Sequence, residues 1–148
     1  MKITSLLALA LTVGLTTACS EDDTTAPAMN NAYVQVVHAS PDAPNVDVLV
    51  DNTIALTNVP YKAASGYLAV PAGTRNLKVN ATGTSTTVIN ADVNLMSGQY
   101  YTVMATGPVA TIQPLVIADD YSSPAAGNAK VRLVHASPTA PTVDIYVT

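Results

Sequence analysis

The sequence predicts an all-β fold, an antiparallel β-sandwich of immunoglobulin-like or similar kind, followed by the start of a second, truncated copy. Three observations carry that expectation: short runs that alternate apolar and polar residues, turn residues between them, and a composition suited to pleated surfaces. Val46, Val48 and Val50 alternate with Asp47, Leu49 and Asp51. Leu77 and Val79 alternate with Asn76, Lys78 and Asn80, and Tyr101, Val103 and Ala105 with Tyr100, Thr102 and Met104. Period two puts one side chain inward and the next outward. Pro71-Ala72-Gly73, Ser97-Gly98 and Gly107-Pro108 break the runs at short intervals. Past Ala32 no segment carries a helical stripe, and many short strands with regular breaks make a sandwich or a barrel. The sandwich is the preferred expectation.

Composition narrows the core and the partners. Val and Thr are abundant, and both are β-branched. Charged residues are only 11%, and Phe and Trp are absent, so the core must be built from Val, Leu, Ile and Tyr. A net charge of −4 leaves no basic footprint for nucleic acid. The single cysteine has no partner for a disulfide, so packing must supply the stability.

The amino-terminal region reads as an export signal. Lys2 gives a basic start, Ile3 to Gly14 is apolar and uncharged, and small residues lead to Cys19. The apolar run is shorter than the ~20 residues a helix needs to span a bilayer. Leu15-Thr16-Thr17-Ala18-Cys19 resembles a bacterial lipobox, departing from it at Thr16, where a branched residue or Leu is usual. The resemblance implies cleavage before Cys19, lipid on its thiol, and the membrane as a partner through that lipid. Two or more acyl chains anchor a protein stably where one does not. Ser20 stands where inner-membrane lipoproteins often carry Asp, which points to the outer membrane. The expected organisation is a signal peptide over 1–18, an acidic tether over 19–31, a sandwich over 32–120, a linker over 121–129 and an incomplete second repeat over 130–148. Glu21, Asp22 and Asp23 belong to the solvated tether rather than to a cation site.

An internal repeat is the most specific feature. Residues 34–51 (VQVVHASPDAPNVDVLVD) and 131–148 (VRLVHASPTAPTVDIYVT) agree at 11 of 18 positions, at a spacing of 97. That period is a whole domain, too long for a solenoid unit. Either 131–148 opens a further sandwich in a longer tandem, or it folds back onto an edge of the first.

His38-Ala39-Ser40-Pro41-Asp42-Ala43-Pro44-Asn45-Val46-Asp47-Val48 resembles the hallmark of a bacterial surface-domain family, domain of unknown function 4397. Gly66–Thr74 and Tyr101–Gly107 resemble later motifs of that family. The resemblance covers about 33–120 and restarts at Lys130. It implies an exported or envelope-anchored β-sandwich, often in tandem, and no established activity. Leu49 departs from the pattern where an aromatic is usual, and so does Thr139 where Asp is usual.

The hallmark holds both histidines, His38 and His135, each followed by Ser40 or Ser137, two prolines, and Asp47 or Asp144. A Ser-His-Asp hydrolase is one reading. It wants an oxyanion hole of free N–H groups, and Pro41 and Pro44 remove donors where the hole would be. A metal site is a second reading, but His38 with Asp42 or Asp47 falls short of a closed zinc set. The favoured reading is structural: the prolines stiffen a crossover between strands, and His, Ser and Asp side chains of the motif satisfy its unpaired backbone groups, with His38 as a hydrogen-bonding latch. No catalytic residue, metal or cofactor is therefore expected.

The tyrosines are expected mainly at the core and its rim, with a sugar or peptide platform as the alternative. Asp119 and Asp120 read as solvated turn residues. The leading functional expectation is a non-catalytic, lipid-anchored module for adhesion, scaffolding or binding of a surface protein or glycan. The alternative is a periplasmic or surface binder of small molecules or carbohydrate. An enzyme comes last.

Overall fold

The computed structural model describes residues 30–146; the expected signal peptide, Cys19 and most of the expected acidic tether lie outside the described residues, as do the last two residues. Eight strands form two four-stranded sheets: β1 (Asn31–His38), β2 (Val46–Val50), β3 (Thr53–Val59), β4 (Leu68–Pro71), β5 (Gly73–Ala81), β6 (Thr87–Leu95), β7 (Tyr100–Thr106) and β8 (Gln113–Asp119). The first sheet runs β4-β1-β7-β8 and the second β3-β2-β5-β6. The only helical turn among the described residues is a short 3-10 turn at Val109–Thr111. No helix there is long and apolar enough to cross a membrane.

The strands form where alternation foretells them. In β1 and β7 every second residue is buried, so Val34, Val36, Tyr101 and Val103 meet Val48, Leu77, Val93 and Leu95 from the other sheet. With no Phe or Trp the interior is mostly aliphatic, and a small apolar void of about 30 Å³ remains between the sheets. Asp51 and Asn52 both adopt positive φ, the geometry a two-residue hairpin demands, and join β2 to β3. Short β4 and Pro114 in β8 mark the two edges of the first sheet.

The sandwich is as expected, with one refinement. The pairing of β1 with β7 is parallel, with Tyr33 opposite Tyr100 and His38 opposite Ala105, whereas the other strand pairs are antiparallel. Parallel neighbours need a long connection, and here it passes through the other sheet before returning.

The second copy builds no strand within its described part, residues 130–146. Val131, Leu133, Val143 and Ile145 are exposed, whereas their first-copy counterparts Val34, Val36, Val46 and Val48 are buried. The segment begins beside the end of β8, where the Arg132 guanidinium donates to Asp119 and to the Ala118 carbonyl. Further on, His135–Thr139 flank a cleft whose other wall includes His38, Pro41 and Tyr61.

Candidate functional site

The hallmark crossover occupies a central position in the fold. It leaves β1, an inner strand of one sheet, and enters β2, an inner strand of the other. Whatever fixes residues 38–46 therefore fixes the offset of the two sheets. His38 is the pivot. Its side chain is fully buried, and its Nε2 lies 3.0 Å from the Pro44 carbonyl. A carbonyl only accepts, so Nε2 must carry the proton. In the neutral ring Nδ1 then accepts, and the Ser40 N–H reaches it in a long contact of 3.4 Å. The backbone of His38 is held as well: its N–H donates to Ala63 and its carbonyl accepts from Lys62.

The other hallmark residues are tied to neighbouring loops. Ser40 is fully buried, and its hydroxyl makes a long contact of 3.5 Å to Asp42 Oδ1. That same oxygen accepts the Val109 N–H at 2.8 Å, which binds the crossover to the 3-10 turn. Asp47 accepts from the Asn58 N–H at 2.8 Å, the Thr82 hydroxyl at 2.9 Å and the Gly83 N–H at 3.3 Å. These donors, the Asn58 N–H foremost, hold its carboxyl below the usual carboxylate range. Pro41 and Pro44 lie exposed on the outside of the crossover.

His135 repeats the pattern. Its Nε2 lies 3.1 Å from the Pro141 carbonyl, six residues on, and the Ser137 N–H stands 3.4 Å from its Nδ1. This second loop is exposed, as is Asp144 beyond it, and Thr139 stands in place of Asp42.

The tyrosines follow the core-and-rim expectation in part. Tyr101 alone is in the core, where its hydroxyl accepts the Met96 N–H. Tyr33, Tyr67, Tyr100 and Tyr121 gather on the outer face of the first sheet. Tyr33 and Tyr100 stack at 4.7 Å, Tyr100 and Tyr121 at 4.1 Å with 8° between planes, and Tyr67 meets Tyr100 and Tyr121 edge-on. The pairing of Tyr33, Tyr100 and Asp119 across neighbouring strands places them in one row. Their outward parity was legible, since Tyr33 and Tyr100 flank the inward Val34 and Tyr101; the strand pairing that stacks them was not.

Asp119 is not a solvated turn residue. Its Oδ2 accepts the Thr102 hydroxyl at 2.7 Å and the Tyr67 hydroxyl at 3.0 Å, and Oδ1 pairs with Arg132. Burial, followed by the Asp119 carboxylate, raises the Tyr67 phenol above its ordinary value. Asp120 pairs with Lys130 at 2.6 Å, and this with Ser122 holds its carboxyl far below the usual range. An open cleft of about 500 Å³ lies here, walled by Tyr67, Asp119, Asp120, Tyr121, Lys130 and Arg132.

Two inner strands of facing sheets joined by a crossover locked on a buried histidine define the class: an all-β sandwich module with its hallmark in the joint. The chain belongs to the family described as Domain of unknown function (DUF4397), whose model matches residues 32–146 and also residues 2–48. No curated protein matches the chain. Among solved structures it is similar to the C-terminal domain of AlgF from P. aeruginosa, at 18% identity over 61% of this chain and 99% of that one, with a TM-score of 0.47.

Proposed function

We propose that this protein is a non-catalytic module of the bacterial cell envelope, anchored through lipid on Cys19 to the outer membrane and displaying its sandwich for adhesion, scaffolding or partner binding. The observation that carries the non-catalytic reading is the state of His38. Both ring nitrogens face backbone groups of its own loop, and neither His38 nor Ser40 meets solvent. A general base must reach the proton it removes, and this imidazole is committed elsewhere. The hallmark then acts as a latch that sets one sheet against the other. The anchor reading rests on the basic, apolar and small-residue order that ends at Cys19.

Fractionation after labelling with a fatty-acid probe tests the anchor. The wild-type chain takes up label and partitions with the outer membrane, and Cys19→Ser takes up none and leaves the membrane fraction. A Cys19→Ser protein that stays membrane-bound at the wild-type level contradicts the anchor. A hydrolytic activity abolished by Ser40→Ala with an unchanged melting temperature contradicts the latch.

The alternative, a binder of small molecules or carbohydrate, draws support from one observation, the tyrosine cluster and its cleft.

A further inference from the structure

We propose that the cleft beside Tyr121 is a binding site for an uncharged saccharide, whose ring stacks on the open face of Tyr121 while its hydroxyls meet Asp120, Lys130 and Arg132. This rests on the alternative reading, a carbohydrate binder, and it would stand even if the anchor on Cys19 were wrong.

The aromatic rings lie mostly outside the core. This chain has seven tyrosines and no Phe or Trp, and an aromatic ring carries the largest apolar area available to a core. Yet only Tyr101 is buried in the core, and four rings sit together on an outer sheet face. Mutual packing accounts for Tyr33, Tyr67 and Tyr100, which are half-buried. It does not account for Tyr121, which is 63% exposed. One face of that ring rests on Tyr100 at 4.1 Å and the edge contact with Tyr67 holds it further, so the other face is a fixed, flat apolar surface. The negative face of such a ring attracts the C–H groups on one side of a sugar.

Charge in the cleft points the same way. Asp119 and Asp120 on the cleft wall are matched by Arg132 and Lys130 in two ion pairs. A charged ligand would compete with the ion-pair partner of its own sign, whereas an uncharged polyol adds hydrogen bonds to groups already in place. About 500 Å³ lies in the range of small-ligand sites, ~300–1,000 Å³. The cleft wall is polar and carries two ion pairs, unlike the apolar centre of a protein interface.

Intrinsic tyrosine fluorescence offers a direct test, because no Trp masks it. The full chain in detergent micelles is titrated with cellotetraose and chitotetraose, and with trigalacturonate as a charged control. The expected result is a saturable change with at least one neutral tetrasaccharide and weaker binding of trigalacturonate. Tyr121→Ala should weaken the neutral sugar about tenfold or more, equivalent to ~1.4 kcal/mol. Tyr61→Ala, an exposed tyrosine beside His38 at the other end of the sheet, should leave the affinity unchanged. Arg132→Gln gives a second reading that spares the stack, and it should weaken binding several-fold. No saturable response to either neutral sugar overturns the proposal. So does tighter binding of trigalacturonate, or an equal loss in Tyr61→Ala.

Discussion

The two copies of the hallmark make the same local contacts in opposite surroundings. In the first, His38 is fully buried between the ends of two sheets; in the second, His135 lies exposed. Yet each ring reaches the carbonyl of the proline six residues on, at 3.0 and 3.1 Å, and each stands 3.4 Å from the N–H two residues on. The comparison separates geometry from stability. The loop's shape comes from its own residues, with prolines restricting the backbone and an imidazole spanning the gap. Its energetic weight comes from burial, because an unmatched polar group costs far more inside a protein than in water. Val46 is 1% exposed and its counterpart Val143 46%, so the same holds for the apolar row that follows.

The comparison breaks first at the histidines. His38→Ala removes a fully buried ring and its hydrogen bond to the Pro44 carbonyl, which should cost about 2–4 kcal/mol. The melting temperature should fall by roughly 10 °C, as read by circular dichroism. An unchanged melt would show that the latch does not hold the sheets. Val46→Ala comes next, at about 2 kcal/mol for two buried methyl groups and the space they leave. Matched Val143→Ala should stay within about 0.5 kcal/mol of wild type, and equal losses would mean that the second copy is part of the same core.

Acid sharpens the contrast through Asp47. Its folded-state pKa is depressed, chiefly by the Asn58 N–H. Its stabilisation is therefore present above the unfolded value, about 3.9, and is lost as the pH falls through the folded value. Melts recorded from neutral pH down to about pH 3 should show a smaller acid loss for Asp47→Asn than for wild type. An identical pH profile would place that carboxylate outside the stabilising network. Deleting residues 130–148 should change the first sandwich little: the Lys130–Asp120 pair it removes is exposed, and Asp119 keeps the Thr102 and Tyr67 hydroxyls when Arg132 is lost. A large drop in melting temperature would instead make the second copy a working part of the first fold. Smallest of all, His135→Ala should leave the melt where it was.

Much of this contrast is legible in the residues themselves. The alternation around Val46–Val50, Leu77–Val79 and Tyr101–Ala105 assigns inward and outward faces, and the burial of those strands follows it closely. The repeat spacing exposes two copies of one motif. Strand partners are another matter, because alternation carries parity but no direction or neighbour. Thus the parallel pairing of β1 with β7, and the joining of two inner strands by the hallmark, depend on contacts distant in sequence. The edge strand Thr53–Val59 has almost no buried face, so its residues carry little periodic signal. Asp119 looks like a turn residue because its partners Tyr67 and Thr102 lie far from it in the chain.

The central claim is that the hallmark is a self-contained latch, with the imidazole proton on Nε2 and Nδ1 left to accept. Nitrogen-15 correlation spectra of the two imidazoles in the intact chain at neutral pH measure this directly. The expected state is the Nε2–H tautomer at both His38 and His135, with the His38 proton exchanging far more slowly because its ring is closed to solvent. The Nδ1–H tautomer of His38, with Nε2 bare, would contradict it, since that ring could not donate to Pro44.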